Sequence, residues 1–176
     1  MSLTEIIKKE IRNIPDFPKE GINFKDITPL FKKPELLKKM ISELEEQYKG
    51  KGIEAVAGIE SRGFLFGVPL AMALNVPFIL IRKKGKLPYK TISYKYDLEY
   101  GTAEIEMHID AVEKGQNVLI HDDLLATGGS ASAAAELISS QGANIIGFHF
   151  LIDLSFLNGV NLISKYSENI SSFVTY

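Results

Sequence analysis

Four apolar runs constrain the fold of this chain more than any other feature. "IEAVAGI", "VPFILI", "NVLIHD" and "NIIGFHFLID" carry apolar residues in continuous stretches rather than in alternation, the pattern of strands covered on both faces. Between the first two stands "RGFLFGVPLAMALN", and between the last two "SASAAAELISSQ", closed by Gly142. Both read as helices, the former despite its Gly and Pro. Strand, helix, strand is a parallel unit, and its recurrence predicts an α/β fold with a mainly parallel central sheet flanked by helices in three layers.

The remaining segments have other characters. "LTEIIKKEI" has helical spacing, as does "ELLKKMISELEEQYK", which follows Pro34 and stops at Gly50. Between them, "IPDFPKEGINFKDITPLF" is too rich in Pro and Gly for a helix or a long strand, and is read as a binding hood over about residues 11–32. After "VPFILI" come a basic turn, "RKKGKLP", and two alternating segments, "TISYKY" and "AEIEMHI", separated by "DLEYG". That order predicts an exposed hairpin excursion. No repeat, low-complexity tract or linker divides the chain, so residues 1–176 are expected to form a single domain.

Composition narrows the function. A chain of 176 residues, 45% hydrophobic and 24% charged, lies in the globular range, and its formal net charge of -2 provides no general polycation field for nucleic acid. The absence of cysteine excludes disulfides, thiolate nucleophiles and thiolate metal sites, and is compatible with a reducing compartment. The first residues place Lys and Glu inside the apolar pattern, unlike a secretion signal. The longest apolar run is broken by Pro69, Asn75 and Pro77 and is too short to span a bilayer. A soluble, cytoplasmic protein with no nucleic-acid or membrane partner is expected.

The chemistry concentrates in "NVLIHDDLLATGGSAS", residues 117–132. In an open parallel sheet, ligands sit beyond the carboxyl ends of the strands, where residues 121–130 fall. Gly128 and Gly129 let the backbone approach an anion, Thr127 and Ser130 add hydroxyl donors, and the start of the next helix offers unsatisfied N–H groups. Those parts suit a phosphate monoester. Asp122 and Asp123 would repel the same phosphate, but as acceptors they suit the vicinal hydroxyls of a nearby sugar. The stretch therefore reads as a cradle for ribose 5-phosphate. Each fragment alone also fits a turn followed by a helix cap. A Walker loop requires Lys after the second Gly, where Ser130 stands. A metal site joining His121 to the acids is disfavoured because adjacent strand residues face opposite sides, so His121 is given a structural role. His108 and His149 are assigned to packing or the surface.

"VLIHDDLLATGGSA" resembles the phosphoribosyl-diphosphate signature of the type I phosphoribosyltransferases. "IPDFPKEGINFKDITPL", "GIESRGFLFG", "LIRKKGKLP" and "YDLEYGTAEIEMHIDAV" are similar, in the same order from about residue 11 to 153, to stretches of the adenine phosphoribosyltransferases. The resemblance implies formation of AMP and diphosphate from adenine and 5-phosphoribosyl 1-diphosphate, with Mg²⁺ carried on the substrate diphosphate and no direct protein ligand. It implies ribose-5-phosphate contacts at Asp122, Asp123, Ala126, Thr127, Gly128, Gly129 and Ser130. Diphosphate contacts are implied at Ser61, Arg62, Arg82, Lys83 and Lys86, with Arg82 donated across a homodimer interface. A cis peptide bond before Ser61 belongs to the same pattern; Glu60 stands where some members carry Asp, with little consequence expected. Adenine contacts are implied at Asn23, Phe24, Lys25, Arg62 and Leu124. Phe24 offers a flat face or fills an ordinary core position, the backbone before it can read the purine edge, and Leu124 can cover the opposite side. Asn23 stands where relatives often have an aliphatic residue. Glu99 is implied as the proton-transfer group at the purine and Tyr100 as a covering residue, on a flexible catalytic loop over about residues 83–102.

Two other functions compete. Transfer to hypoxanthine, guanine or xanthine would be distinguished at the segment around Asn23. A non-catalytic phosphoribosyl-diphosphate sensor controlling transcription would need a DNA-binding module, and the few residues before the hood leave no room for one.

Overall fold

The structure, a computed structural model, describes residues 1–98 and 101–176. It has two compact units, Met1–Gln47 and Tyr48–Tyr176.

In the first unit, helix α1 (Leu3–Glu10) starts where Ser2 can cap it: the Ser2 hydroxyl accepts from Glu5 N–H at 3.2 Å, and the Glu5 carboxylate accepts from Ser2 N–H at 2.7 Å. The hood segment holds two three-residue strands, β1 (Arg12–Ile14) and β2 (Phe24–Asp26), paired antiparallel with Arg12 opposite Asp26. Asp16 closes the intervening loop by accepting from Gly21 N–H at 2.8 Å. A 3₁₀ turn over Thr28–Lys32 leads into helix α2 (Pro34–Tyr48), whose first residue is the proline that cannot donate there in any case.

The second unit is built on a seven-stranded sheet. Strands β3 (Ala55–Ile59), β4 (Phe78–Lys83), β5 (Thr91–Leu98), β6 (Gly101–His108), β7 (Asn117–Leu125), β8 (Asn144–Asp153) and β9 (Ile170–Thr175) stand in the order β5-β6-β4-β3-β7-β8-β9. Pairing is parallel from β4 through β9 and antiparallel where β6 meets β4 and β5. The four apolar runs are β3, β4, β7 and β8, and the mainly parallel α/β fold expected from them is the fold observed. The hairpin differs from expectation. Rather than leaving the sheet, it extends it: β6 pairs with β4 through Arg82 opposite Glu106 and Lys83 opposite Ile105, and Ile105 and Met107 are buried. Sequence alternation identified one apolar face on "AEIEMHI" but could not say that the parallel sheet would supply its cover.

Helix α3 (Gly63–Leu74) carries the chain from β3 to β4, and helix α4 (Gly129–Ser139) carries it from β7 to β8. These crossovers leave β3 and β7, which are neighbours, in opposite directions. Parallel crossovers are right-handed, so the two helices cover opposite faces and the carboxyl ends of β3 and β7 flank an open crevice. Beneath it, Ala57, Ile81, Ile120, Phe148 and Phe150 of the sheet form one core cluster with Ala134, Ala135 and Ile138 of α4. Small residues on α4 let the helix lie close to the strands. Among the described residues no helix is long and apolar enough to cross a membrane.

The loop that leaves β7 is braced from below. Gly128 has φ +85°, and a Cβ there would lie 2.8 Å from the carbonyl oxygen of Gly159, the first residue of α5 (Gly159–Ile163). A Cβ on Gly159 would in turn lie 2.3 Å from Ala126 O. Backbone meets backbone with no room for a methyl group. Gly159→Ala is therefore expected to destabilise the protein by about 2 kcal/mol, the scale of overpacking, and to lower the melting temperature by roughly 4–8 °C. A thermal melt equal to that of the parent would mean that this contact yields freely.

Candidate active site

The crevice opens into a cavity of about 450 Å³ lined by the ends of β3 and β7, the segments that follow them, and Lys83 from β4. Of the residues singled out in the sequence, Ser61, Arg62, Lys83, Asp122, Asp123, Leu124, Ala126, Thr127, Gly128, Gly129 and Ser130 all line it. The Glu60–Ser61 peptide bond is cis. Arg82 and Lys86 are not among the lining residues.

Helix α4 opens without a side-chain cap, because its N-cap is Gly128 in the left-handed conformation. The first amides of a helix have no intrahelical acceptor. Here they stand at the cavity beside the hydroxyls of Thr127 and Ser130, an arrangement of donors and helix dipole suited to a phosphate group.

Within β7 itself the two acids are handled separately. Asp123 is buried and paired with the Arg62 guanidinium. Asp122 accepts from Asp123 N–H at 2.8 Å and lies against Gly63 at the start of α3, where a Cβ would come within 3.0 Å of its carboxylate oxygen. Burial, with the Asp123 charge adding to it, pushes the Asp122 pKa well above the usual carboxylate range, while the Asp123 N–H and the Arg62 charge only partly offset this. The pair thus combines a carboxylate bound to a cation with one whose proton is unusually hard to remove. Such a pair can accept from, and in its protonated form donate to, the hydroxyls of a sugar.

The basic turn is organised by two acids that sequence inspection left out of the site. Glu60 accepts from Arg82 Nε at 3.2 Å and from Lys83 N–H at 2.9 Å, joining the end of β3 to the end of β4. Burial alone would raise its pKa, but these hydrogen bonds and the Arg82 and Lys86 charges hold it below the ordinary value. The substitution expected to matter little thus sits at a structural junction. Arg82 also donates to Lys86 O at 3.0 Å. Glu106, only 3% exposed, accepts from the amides of Lys86 and Leu87, each at 2.9 Å, and from the Thr91 hydroxyl at 3.2 Å. Its burial is likewise outweighed by those donors, so its pKa is depressed. Lys84 pairs with Glu104 at 2.6 Å. Lys83 lines the cavity, where its cation can meet an anion, while the Lys86 charge acts on Glu60. Nothing in "AEIEMHI" singles out Glu106; only the fold shows that the turn closes over it.

His121 and His149 are fully buried and face each other, with Nδ1 atoms 3.0 Å apart. Burial pushes the His121 pKa down to about 4, so both rings are neutral packing elements, as expected for His121 from its place on the strand. Among the described residues no three His, Cys, Asp or Glu side chains converge to hold a metal ion. In the first unit, Phe24 meets Phe17 edge to face at 5.2 Å, Lys25 donates to Asn13 at 2.6 Å, and Asn23 is exposed. Glu99 and Tyr100 lie outside the described residues.

Asp122 and Glu106 should have opposite pH signatures. A raised folded-state pKa at Asp122 favours folding in acid, and that contribution is lost as pH rises through the folded value. A depressed pKa at Glu106 favours folding above the unfolded value, and that contribution is lost as pH falls through the folded one. Asp122→Asn is therefore expected to gain stability relative to the parent as pH rises to neutrality. Glu106→Gln keeps an acceptor oxygen for the two amides but removes its charge, and is expected to lose about 1 kcal/mol at neutral pH, the difference between hydrogen bonds to a charged and to a neutral acceptor, with the deficit shrinking in acid. Urea unfolding across a pH series reads both; a Glu106→Gln variant as stable as the parent at neutral pH would mean that the charge of Glu106 does not help to anchor the turn.

Comparison with known proteins agrees with this geometry. The family model for the phosphoribosyl transferase domain matches residues 27–156. The adenine phosphoribosyltransferase of Acetivibrio thermocellus is 51% identical over 171 residues, covering 97% of this chain and 99% of the relative. The crystal structure of adenine phosphoribosyltransferase from Thermoanaerobacter pseudethanolicus superimposes with a TM-score of 0.94 at 48% identity, covering 98% of this chain and 99% of that one. The Saccharomyces cerevisiae enzyme, solved with an imino-altritol bisphosphate and adenine, gives a TM-score of 0.89 at 40% identity, covering 97% of this chain and 98% of that one. With a phosphate-suited loop, an acid pair and the cation of Lys83 around one crevice, and relatives of this identity along nearly its whole length, the chain belongs to the adenine phosphoribosyltransferase family.

Proposed function

We propose that this chain transfers the 5-phosphoribosyl group from 5-phosphoribosyl 1-diphosphate to adenine, releasing diphosphate and forming AMP. The observation that carries this reading is the convergence, in one cavity, of an uncapped helix start, the Asp122–Asp123 pair and the cation of Lys83. Each suits one part of a phosphorylated ribose that bears a diphosphate. Relatives along almost the entire chain carry the same activity in their names, and the yeast relative was solved with adenine.

The 5-phosphate sits on the amides and hydroxyls of residues 126–130. Asp122 and Asp123 accept from the ribose hydroxyls and face the positive charge that develops at the anomeric carbon as the diphosphate leaves. Ser61, Arg62, Arg82, Lys83 and Lys86 meet that diphosphate, which brings Mg²⁺ with it as part of the substrate. Asn23, Phe24, Lys25 and Leu124, with Arg62, are assigned to adenine on sequence resemblance. Glu99 takes the proton from the reacting purine nitrogen and returns it in the reverse direction, and Tyr100 covers the site.

A homodimer is part of the proposal. Leu65, Val68 and Met72, at helical spacing on α3, are 46%, 39% and 76% exposed, an apolar stripe of the kind that two copies cover for each other. Arg82 would then serve the neighbouring copy. The lack of cysteine supports a cytoplasmic setting.

AMP formation is to be measured with phosphoribosyl diphosphate and each purine base offered separately. Turnover with adenine is expected; turnover only with guanine, hypoxanthine or xanthine would end the adenine assignment. In single-turnover assays, Glu99→Gln is expected to slow the chemical step about a hundredfold or more, with substrate affinities retained. An unchanged chemical step across the pH range would leave Glu99 without a role.

A further inference from the structure

One side chain reaches the phosphate loop from outside it. Tyr96, on β5, has its hydroxyl oxygen 3.1 Å from Ser130 Oγ. Its ring lies beside Gly129, where an added Cβ would meet ring carbons at 3.9 Å, an ordinary contact. The ring also packs against the apolar core cluster, and pairing with β6 sets Tyr96 opposite Ala103. Tyr96 is therefore held by its strand and by its ring independently of the hydroxyl.

The two hydroxyls carry one proton each, and either can donate to the other. A phosphate dianion removes that freedom. It only accepts, so Ser130 can serve it only by turning its own proton into the cradle, and the Ser130 oxygen is then free to accept from Tyr96.

We propose that Tyr96 is a positioning residue for the 5-phosphate: its hydroxyl donates to Ser130 Oγ and thereby aims the Ser130 proton at the phosphate. This rests on reading residues 126–130 as the phosphate site. No bond is made or broken; a rotating hydroxyl is fixed, and donation from Tyr96 polarises the Ser130 O–H for its charged acceptor. The arrangement ties the phosphate loop to the strand that precedes Glu99 in sequence, so the hairpin contributes to the phosphate end of the substrate as well as to the chemistry proposed for Glu99.

Tyr96→Phe keeps the ring and removes only the hydroxyl. Titration of ribose 5-phosphate into the full chain by calorimetry is expected to show about tenfold weaker binding, the scale of one hydrogen bond serving a charged group. The KM for phosphoribosyl diphosphate should rise in parallel, with kcat, the KM for adenine and the melting temperature close to those of the parent. Because Tyr96 acts through Ser130, the Tyr96→Phe, Ser130→Ala double variant should bind ribose 5-phosphate no more weakly than Ser130→Ala alone. Unchanged affinity in Tyr96→Phe, or losses that multiply in the double variant, would overturn the proposal. A parent protein that binds ribose 5-phosphate but makes no AMP would defeat the transferase reading while the titrations still decide the role of Tyr96; a parent that does not bind ribose 5-phosphate would defeat both.

Discussion

Two neighbouring carboxylates at the end of one strand cannot both be charged and dry, and much of the site answers that constraint. Asp123 is buried only because Arg62 reaches it, and Arg62 reaches it only because β3 runs beside β7 in parallel. Asp122 has room for its carboxylate because the first residue of α3 is a glycine. Replace any of these and an acid is left either clashing or uncompensated, at a cost that exceeds that of most surface contacts. Strand order and helix start are thus tied to charge balance within a few ångströms.

On the basic side the logic is inverted. Arg82, Lys83, Lys84 and Lys86 lie close together in sequence and would repel one another in an unsupported turn. Glu60 and Glu106 accept from backbone amides as well as from the Arg82 and Thr91 side chains, so the turn is shaped by anions while the Lys83 side chain lines the cavity. A cluster built in this way keeps its positive charges close together and can attract an anion to the cavity.

The sequence was informative wherever chemistry is local. Continuous apolar runs identified β3, β4, β7 and β8, and the Thr-Gly-Gly-Ser stretch announced the loop before α4 because close backbone approach requires small residues there. It was silent where partners come from afar. Strand β9, with two serines in "ISSFVT", lacks the apolar continuity that marked its neighbours, yet pairs along β8. Glu60 and Glu106 look like any exposed acid until the turn they bind is folded over them. Tyr96 reads as one member of an alternating strand, and its contact with Ser130, 34 residues away, has no signature in the order of residues.

Arg62 and Asp123 are 61 positions apart in the chain. Bringing them together closes a long loop, and the entropy of that closure is recovered only when the intervening strands have docked. No short fragment can therefore hold half of this cavity in working form: its two rims come from strands that meet only after the chain between them has found its place. Whatever sets the pace of that meeting also sets when, in the life of a newly made chain, the first substrate can be recognised.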